Sequence, residues 1–348
     1  MVDKNYCCSS YLALRFVEKD GVDFFEGLHH KNAVVTKMEN RIPVSNGPEL
    51  EAEIQKSFDG VKGEKLGIML SGGMDSACLA PYMPGCDAYT FRFLGGTFES
   101  EELERAEYFA KTYDMKLHYV DISWDVVERN LGTAFEANHV PVHSIVPQLY
   151  EAVLAAKADG IERLVLGECA DNRFGGFSRA YSREWMFDDF VRFFTYTEPA
   201  LALKEPVDMT YAFEPFRIDG GRIDYMRFMQ TIYARESETS YVSLFKKCDM
   251  KWLYPYENLC AKGGLDYARI RRGETKYIIR ELFRDKYPGY PVPEKNPMPR
   301  PVDHYFRDWQ GPKRPEFRED IPMESLTGNQ KWQLWCLERF LDTYDTIH

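Results

Sequence analysis

The sequence predicts an α/β fold with a doubly wound parallel sheet and a helical C-terminal half. Between residues 65 and 170, short apolar runs typical of buried strands alternate with amphipathic helical runs. A glycine-rich turn follows the first of these strands, and acidic residues follow the last. Beyond residue 180 the pattern becomes helical and aromatic. Alternation of this kind favours parallel strands joined by right-handed crossovers.

The chain is long enough for one large or two ordinary domains, since it has 348 residues and 44% hydrophobic content. Residues 1–50 predict a small β-rich appendage, with a strand over 11–16 that pairs with 32–38. Residues 51–348 would form the main domain. Within it, 51–180 would be the α/β core, and 181–348 would hold a helical region and a proline-rich segment.

The core elements follow in order after a helix over 51–58. Predicted strands cover 66–70, 88–93, 117–122 and 163–167, and predicted helices cover 75–82, 100–113, 124–137 and 146–158. In a sheet of this type, ligands bind beyond the carboxyl ends of the strands, where the strand order reverses. We therefore expect functional residues at these strand ends.

Further helices are predicted over 185–194, 225–234, 241–245, 276–284 and 330–344. Their aromatic residues, such as Phe187, Phe190 and Phe194, favour a core over a stacking platform. Residues 287–323 are rich in proline and predict an extended active-site lid or a wrapped tail. A basic cluster precedes this segment and favours a solvated helix face over a groove for an anionic acceptor; it contains Arg269, Arg271, Arg272, Lys276 and Arg280.

Composition excludes several classes of protein. The net charge of −11 disfavours nucleic-acid binding, which depends on Lys and Arg. No apolar run reaches the ~20 residues of a membrane span, and the first residues lack the pattern of a signal peptide. The eight cysteines include no Cys-x-x-Cys pair, which suits a reducing compartment. The prediction is a cytoplasmic protein.

The first motif joins a strand to a helix through the turn Ser71-Gly72-Gly73-Met74-Asp75-Ser76. Glycines let the backbone approach an anion closely, and the free N–H groups of a first helical turn bind phosphate. An aspartate there is suited to Mg²⁺ that accompanies a triphosphate. The turn lacks the Gly-Lys-Ser/Thr of a Walker A loop. A glycine turn without any ligand is the disfavoured alternative.

The second motif follows the strand over 163–167. Glu168 and Asp171 come directly after Gly167, and Gly175-Gly176 follows them. Two carboxylates three residues apart face the same way on a helical turn. Acidic side chains on a surface are usually only solvated, but these two lie at a strand end, where the fold binds its ligands. We therefore expect them to be functional.

Together with residues 276–283 and 331–340, these motifs resemble the synthetase domain of asparagine synthetase, which also occurs in β-lactam synthetase. The loop resembles that of the N-type ATP pyrophosphatases, the PP-loop family. The resemblance runs from about residue 50 to 345 and implies an adenine nucleotide alpha hydrolase-like fold. It also implies that 51–180 is the nucleotide-binding core and that 181–348 contains the acceptor site. It implies that ATP and Mg²⁺ activate a carboxylate as an acyl-adenylate, which ammonia or an amine converts to an amide. We predict that this carboxylate is small or, if the basic cluster forms a groove, nucleotide-sugar-linked.

The resemblance also assigns roles to residues. Ser71, Gly72, Gly73, Asp75 and Ser76 would hold pyrophosphate, and Asp75 and Asp171 would bind Mg²⁺. The adenosine site would be lined by Leu70, Phe93 and Gly167. Glu168 would take the proton of the attacking amine, which requires a raised pKa or a shared proton. Lys295 would stabilise the charge that develops on the α-phosphate, with a surface lysine as the equal alternative.

Three departures from the family pattern have consequences. The residues ahead of Ser71 are too few for the family's glutaminase domain, so the nitrogen would be free ammonia, an amine or ammonia from a separate glutaminase subunit. Cys169 stands where the family usually has a small residue. We interpret it as an inert, packed side chain and not as an activated thiol. Residues 253–258 differ from the family's Arg-Val-Pro-Phe-Leu-Asp, which puts aspartate in doubt as the substrate.

Two rival functions stay open at this point. Sulfur transfer to tRNA, as in related pyrophosphatases, is disfavoured by the acidic charge and by the lone Cys169 at the site. A nucleotide-binding module without turnover is disfavoured by the presence together of Asp75, Glu168 and Asp171.

Overall fold

A parallel sheet forms the centre of the structure, a computed structural model that describes residues 1–94, 100–294 and 302–345. The strands are β1 (Ile42–Val44), β2 (Leu66–Met69), β3 (Asp87–Phe93), β4 (Lys116–Ile122), β5 (Arg163–Val165), β6 (Arg217–Ile218), β7 (Arg222–Ile223), β8 (Lys251–Leu253) and β9 (Leu259–Ala261). Within the described ranges, the sheet has the order β4-β3-β2-β5-β8 and every neighbouring pair is parallel. The predicted doubly wound sheet is thereby confirmed.

The strand order reverses between β2 and β5. From β2 the chain adds β3 and then β4 on one side, and it later returns to place β5 and β8 on the other. Ile68 pairs with Val165, so the two strands end almost level. Both residues are fully buried, as expected for parallel strands covered by helices on both faces. The turns after β2 and β5 therefore meet at the switch point, where α/β sheets bind ligands.

Helices cover the sheet and fill the C-terminal half. They are α1 (Lys4–Leu14), α2 (Gly47–Asp59), α3 (Met74–Ala77), α4 (Ser100–Thr112), α5 (Trp124–Asn138), α6 (Val146–Ala158), α7 (Ala170–Phe174), α8 (Phe187–Phe194), α9 (Pro199–Ala202), α10 (Tyr225–Phe228), α11 (Ala234–Lys247), α12 (Tyr267–Arg271), α13 (Tyr277–Lys286), α14 (Val302–Tyr305) and α15 (Gly328–Asp345). The four predicted core strands and most of the predicted helices agree with these bounds to within a few residues. The helix predicted over 225–234 is α-helical only in α10 and continues as a π-helical turn, and the helix predicted over 241–245 is the last part of the longer α11. The helix predicted over 75–82 is broken, with α3 followed by a short 3₁₀ turn.

The strand predicted over 11–16 is wrong. Residues 4–14 form helix α1, which begins where the Asp3 side chain accepts a hydrogen bond from the backbone N–H of Tyr6. Every residue from Tyr6 to Leu14 is buried. Because the helix is packed on all sides, its sequence lacks the apolar spacing of an amphipathic helix. Residues 32–38 contain no strand. Strand β1 pairs with β9 instead, as a separate parallel pair.

The division at residue 50 stays a prediction, but the first residues pack closely against the rest of the chain. The buried apolar residues form one cluster that extends from Tyr6 in α1 to Tyr344 in α15. Phe187 and Phe190 belong to this cluster, which confirms their assignment to the core.

In the proline-rich segment, the described residues include α14 and little other regular structure. Among the described helices, none is both long enough and apolar enough to cross a membrane.

Gly72 is tested against Gly132 as a matched control. A Cβ on Gly72 would lie 2.4 Å from the carbonyl oxygen of Glu102 in α4, whereas Gly132, exposed within α5, has nothing within 4 Å of the corresponding position. We expect Gly72→Ala to lower the free energy of unfolding by about 1–3 kcal/mol through steric strain. Gly132→Ala should raise it by about 0.5–1 kcal/mol, because alanine favours a helix. Urea denaturation measures both, and a shift of the same sign for both variants contradicts the packing at Gly72.

Candidate functional site

A cleft of about 490 Å³ opens at the carboxyl ends of β2, β3 and β5. It brings together most of the site residues predicted from the sequence: Leu70, Ser71, Gly73, Asp75, Ser76, Phe93, Gly167, Glu168 and Asp171. Gly72 lies beneath this surface, against α4. Lys295 lies outside the described residues, although its neighbours Pro293 and Glu294 line the cleft.

The loop after β2 is held in shape by its own serines. The Ser76 hydroxyl accepts a hydrogen bond from the Ser71 backbone N–H at 3.0 Å and lies 3.1 Å from the Ser71 hydroxyl. The Ser71 hydroxyl in turn accepts from the backbone N–H of Gly73 at 3.1 Å. Helix α3 begins directly after this turn, so the N–H groups of its first turn lie beside the loop.

Two glycines allow the strand ends to meet. A Cβ on Gly167 would lie 2.9 Å from the backbone nitrogen of Ser76, and one on Gly176 would lie 1.7 Å from Oδ1 of Asp171. Any larger residue at Gly167 would push the turn after β5 away from the loop. Asp75 and Asp171 are therefore brought to one place by close backbone packing.

Lys276 joins these two carboxylates. Its ammonium donates to Asp75 at 2.6 and 2.8 Å, and it lies 3.0 Å from Oδ1 of Asp171. Burial of Lys276 opposes its charge, but the carboxylates of Asp171 and Asp75 outweigh this effect and raise the pKa of the ammonium above its ordinary value. The lysine therefore stays charged at neutral pH.

The sequence did not reveal this role. Lys276 belongs to the basic cluster that was interpreted as a solvated helix face, and for Lys276 that interpretation is wrong, because the residue is buried. It adopts a left-handed conformation at φ 52° directly before α13, which turns it out of the helical pattern. In the same cluster Arg280 lines the cleft, whereas Arg271 and Arg272 are exposed.

Glu168 lies within the cleft beside the same carboxylates. Burial, followed by the negative charges of Asp171 and Asp75, raises the pKa of Glu168 to about 8. The negative charges of Glu238 and Glu236 also raise the pKa of Glu168. The group can therefore gain or lose a proton near neutral pH, which general acid–base catalysis requires.

A buried ion pair packs against the turn that follows β5. Arg173 in α7 is fully buried and donates to Glu238 at 3.0 Å and to the backbone oxygen of Glu257 at 3.0 Å. Cys169 donates its thiol proton to the same Glu238 at 3.5 Å. Burial raises the pKa of the Cys169 thiol well above its ordinary value, which supports the prediction of inert packing.

Tyr256 is a second residue that the sequence did not single out. Its hydroxyl donates to the backbone oxygen of Asp75 at 2.9 Å, and its side chain is fully buried. It lies in the segment 253–258, within the helical half that was predicted to contain the acceptor site. On the other side of the loop, Arg105 in α4 donates to the backbone oxygen of Gly72 at 3.0 Å. No motif marked either residue, since both act on backbone atoms.

The donor set is suited to a divalent cation. Asp75 and Asp171 both lie within 3.0 Å of one ammonium, so their oxygens share one positively charged neighbour. Carboxylate oxygens are the protein ligands that Mg²⁺ prefers. The residues present therefore fit the ion that the sequence predicts.

Comparison with known proteins identifies the family. Residues 52–245, more than half of the chain, match asparagine synthase. The chain belongs to the asparagine synthase family. A protein of Methanocaldococcus jannaschii with the provisional name asparagine synthetase [glutamine-hydrolyzing] 1 is 32% identical over 120 residues. This match spans 33% of the chain but only 22% of that relative.

Solved structures show more distant likeness. The U34-tRNA thiolase NcsA of Methanococcus maripaludis is 11% identical with a TM-score of 0.28, covering 72% of this chain and 85% of that one. The NMN synthetase of Francisella tularensis is 13% identical with a TM-score of 0.27, covering 71% and 98%. These TM-scores are too low to support an inference about this family member.

Lys276→Met tests the bridge between the two strand ends. Removing one partner of a buried ion pair leaves charges uncompensated, so we expect the free energy of unfolding to fall by about 3 kcal/mol. Lys56 is the matched control, because it pairs with Glu53 on the surface of α2. Lys56→Met should cost less than about 1 kcal/mol. Guanidinium denaturation measures both variants. Equal losses in the free energy of unfolding would contradict a stabilising role for the contact of Lys276 with Asp75 and Asp171.

Glu168→Gln tests the raised pKa through stability. Between the ordinary pKa of 4.5 and about 8, folded Glu168 keeps a proton that the unfolded chain has released. The unfolded state then binds fewer protons, so this group makes stability fall as pH rises. The free energy of unfolding of the wild type, relative to Glu168→Gln, should decrease across this range and level off above it. Denaturation curves at several pH values measure the difference, and a constant difference contradicts the shift.

Proposed function

We propose that this protein is an ATP-dependent ligase that forms AMP and an amide. The carboxylate of one substrate would attack the α-phosphate of ATP, forming an acyl-adenylate and releasing pyrophosphate. Ammonia or an amine would then attack the acyl carbon and displace AMP. Membership of the asparagine synthase family supports an ATP-dependent ligase, and the substrates are part of the proposal.

The observation that carries the proposal is the meeting of Asp75, Lys276 and Asp171 beside the serine–glycine loop at the switch point of the sheet. A nucleotide that is cleaved between its α- and β-phosphates requires the phosphates to be held and their charge neutralised. The loop would hold the pyrophosphate through its N–H groups, with the hydroxyls of Ser71 and Ser76 beside them. Leu70, Phe93 and Gly167 would line the adenosine side of the cleft.

Asp75 and Asp171 would hold Mg²⁺, which supplies positive charge to the phosphates when bound. Lys276 already contacts both carboxylates, so its ammonium would lie where negative charge develops on the departing pyrophosphate. Lys295 is proposed as a further cation from the proline-rich segment. These charges lower the activation barrier only if they are fixed in place before the reaction. The hydrogen bond from Tyr256 and the close contact at Gly167 hold the loop in place.

Glu168 would accept the proton of the attacking amine. Attack by a neutral amine on the acyl carbon gives a positively charged nitrogen, which must lose a proton before the amide is complete. With its pKa raised to about 8, Glu168 is a stronger base than an ordinary carboxylate. The nitrogen source is proposed to be free ammonia, an amine cosubstrate or ammonia from a separate glutaminase.

Sulfur transfer is the less favoured alternative. It would require a reactive cysteine at the site, and the Cys169 thiol is buried with its pKa raised. A module that binds nucleotide without turnover is also less favoured, because it would have no use for a carboxyl such as Glu168 with a pKa near 8.

Asp75→Asn tests the reaction directly. AMP and pyrophosphate formation is measured from ATP and Mg²⁺ with a panel of carboxylic acids, with and without ammonium. In the wild type, AMP should appear only with a suitable acid, and Asp75→Asn should reduce the rate at least about 100-fold through lost stabilisation of the phosphates.

Asp87→Asn is the control, since Asp87 is a partly buried aspartate at the opposite, amino-terminal end of β3. It should keep the wild-type rate. Formation of ADP and phosphate in place of AMP and pyrophosphate would exclude the proposed chemistry.

A further inference from the structure

Part of the cleft is lined by a residue that precedes the family-matched region. Arg15 contributes to the same cleft as Glu168, yet it lies ahead of residues 52–245, which match the family. Its neighbours in the lining include Tyr233 and Glu236, from the chain around the start of α11. The N-terminal segment therefore supplies part of the cleft wall.

The position of Arg15 is fixed by helix α1. Arg15 ends this helix in a left-handed conformation at φ 69°, and its backbone N–H donates to the carbonyl oxygen of Tyr11. The helix is buried from Tyr6 to Leu14. A residue at the end of such a firmly packed helix presents its side chain in one direction, which suits a recognition role.

The guanidinium is held by three side chains. Its Nη2 donates to Oε2 of Glu236 at 3.0 Å, and its centre lies 4.9 Å from the ring of Tyr196 and 5.3 Å from the ring of Tyr233. The Arg15 side chain is only 16% exposed. Aromatic faces orient a guanidinium plane and leave its edge for hydrogen bonds.

Glu236 accepts from Nη2, and an arginine carries several further N–H donors. Those donors lie in a planar fork that matches a carboxylate or a phosphate. The Arg15–Glu236 pair lines the same cleft as Glu168. Lys276, by contrast, is engaged by Asp75 and Asp171 at the loop.

We infer that Arg15 determines specificity by binding a second anionic group of the carboxylate substrate, a carboxylate or a phosphate. This inference rests on the proposed function, because the first carboxylate is the one that reacts at the loop. Glu236 acts as a positioning residue that keeps the guanidinium in the cleft. The substrate would thus be a dianion, anchored at one end by Arg15 and activated at the other.

The test compares three acids in ATP–pyrophosphate exchange: glutarate, 4-phosphonobutyrate and butyrate. The wild type should exchange with one of the dianions at a KM at least tenfold below that for butyrate. Loss of a charged hydrogen bond corresponds to about 10- to 100-fold, so Arg15→Met should raise the KM of the dianion by that factor. The KM values for butyrate and ATP should not change. A preference for glutarate or for 4-phosphonobutyrate distinguishes a carboxylate from a phosphate.

Two further variants guard against a simple loss of folding. Arg15→Lys keeps the charge without the fork and should recover part of the affinity for the dianion. Arg163→Met is the matched control, because Arg163 is a partly buried arginine paired with Glu64 at 2.8 Å and does not line the cleft. It should leave every KM unchanged. Thermal unfolding of each variant shows whether it is folded.

Calorimetric titration with glutarate and 4-phosphonobutyrate, in the presence of α,β-methylene-ATP, separates this inference from the proposed function. Binding that weakens in Arg15→Met but not in Arg163→Met supports the inference, even if no acid is adenylated. The absence of adenylation with every acid would count against the proposed function alone. Exchange with butyrate alone, unaffected by Arg15→Met, supports adenylation and overturns the inference. Equal binding of both dianions by wild type and Arg15→Met also overturns it.

Discussion

The ammonium of Lys276 is the contact on which the site depends. It lies between Asp75, which follows β2, and Asp171, which follows β5, so it joins two strand ends through side chains from three parts of the chain. Without a cation there, two partly buried carboxylates would face each other at a cost in free energy. The same arrangement places positive charge where phosphates would bind. Structural stability and the proposed chemistry therefore rest on the same three residues.

Backbone packing around the loop makes this contact possible. Gly167 brings the turn after β5 against Ser76, Gly72 lies against α4, and Tyr256 holds the backbone oxygen of Asp75. Behind them, the buried Arg173–Glu238 pair anchors α7. A site built in this way is rigid before any substrate arrives, and such preorganisation is what electrostatic stabilisation of a transition state requires.

The residues that line the cleft come from two parts of the chain. The loop and its acids come from the sheet of the asparagine synthase fold, whereas Arg15 comes from the N-terminal segment, whose first helix packs into the same apolar core. The loop, Asp75 and Asp171 lie within residues 52–245, which match the family, whereas Arg15 precedes them. This separation is consistent with one chemistry applied to different acids, since functional specificity depends on the site and not on the fold.

The sequence by itself determined the sheet, its switch point and most of the cleft, because apolar runs of strand length and glycine turns at their ends leave a local signal. It could not reveal Lys276, Tyr256 or Arg15. Lys276 was hidden in a basic cluster, and Tyr256 acts on a backbone atom. Arg15 lies within the stretch 11–16 that was predicted as a strand, whereas it ends a helix that is buried from Tyr6 to Leu14. Their roles arise from contacts between residues 181 or more positions apart. Such contacts depend on how the elements pack in three dimensions, which only the tertiary structure decides.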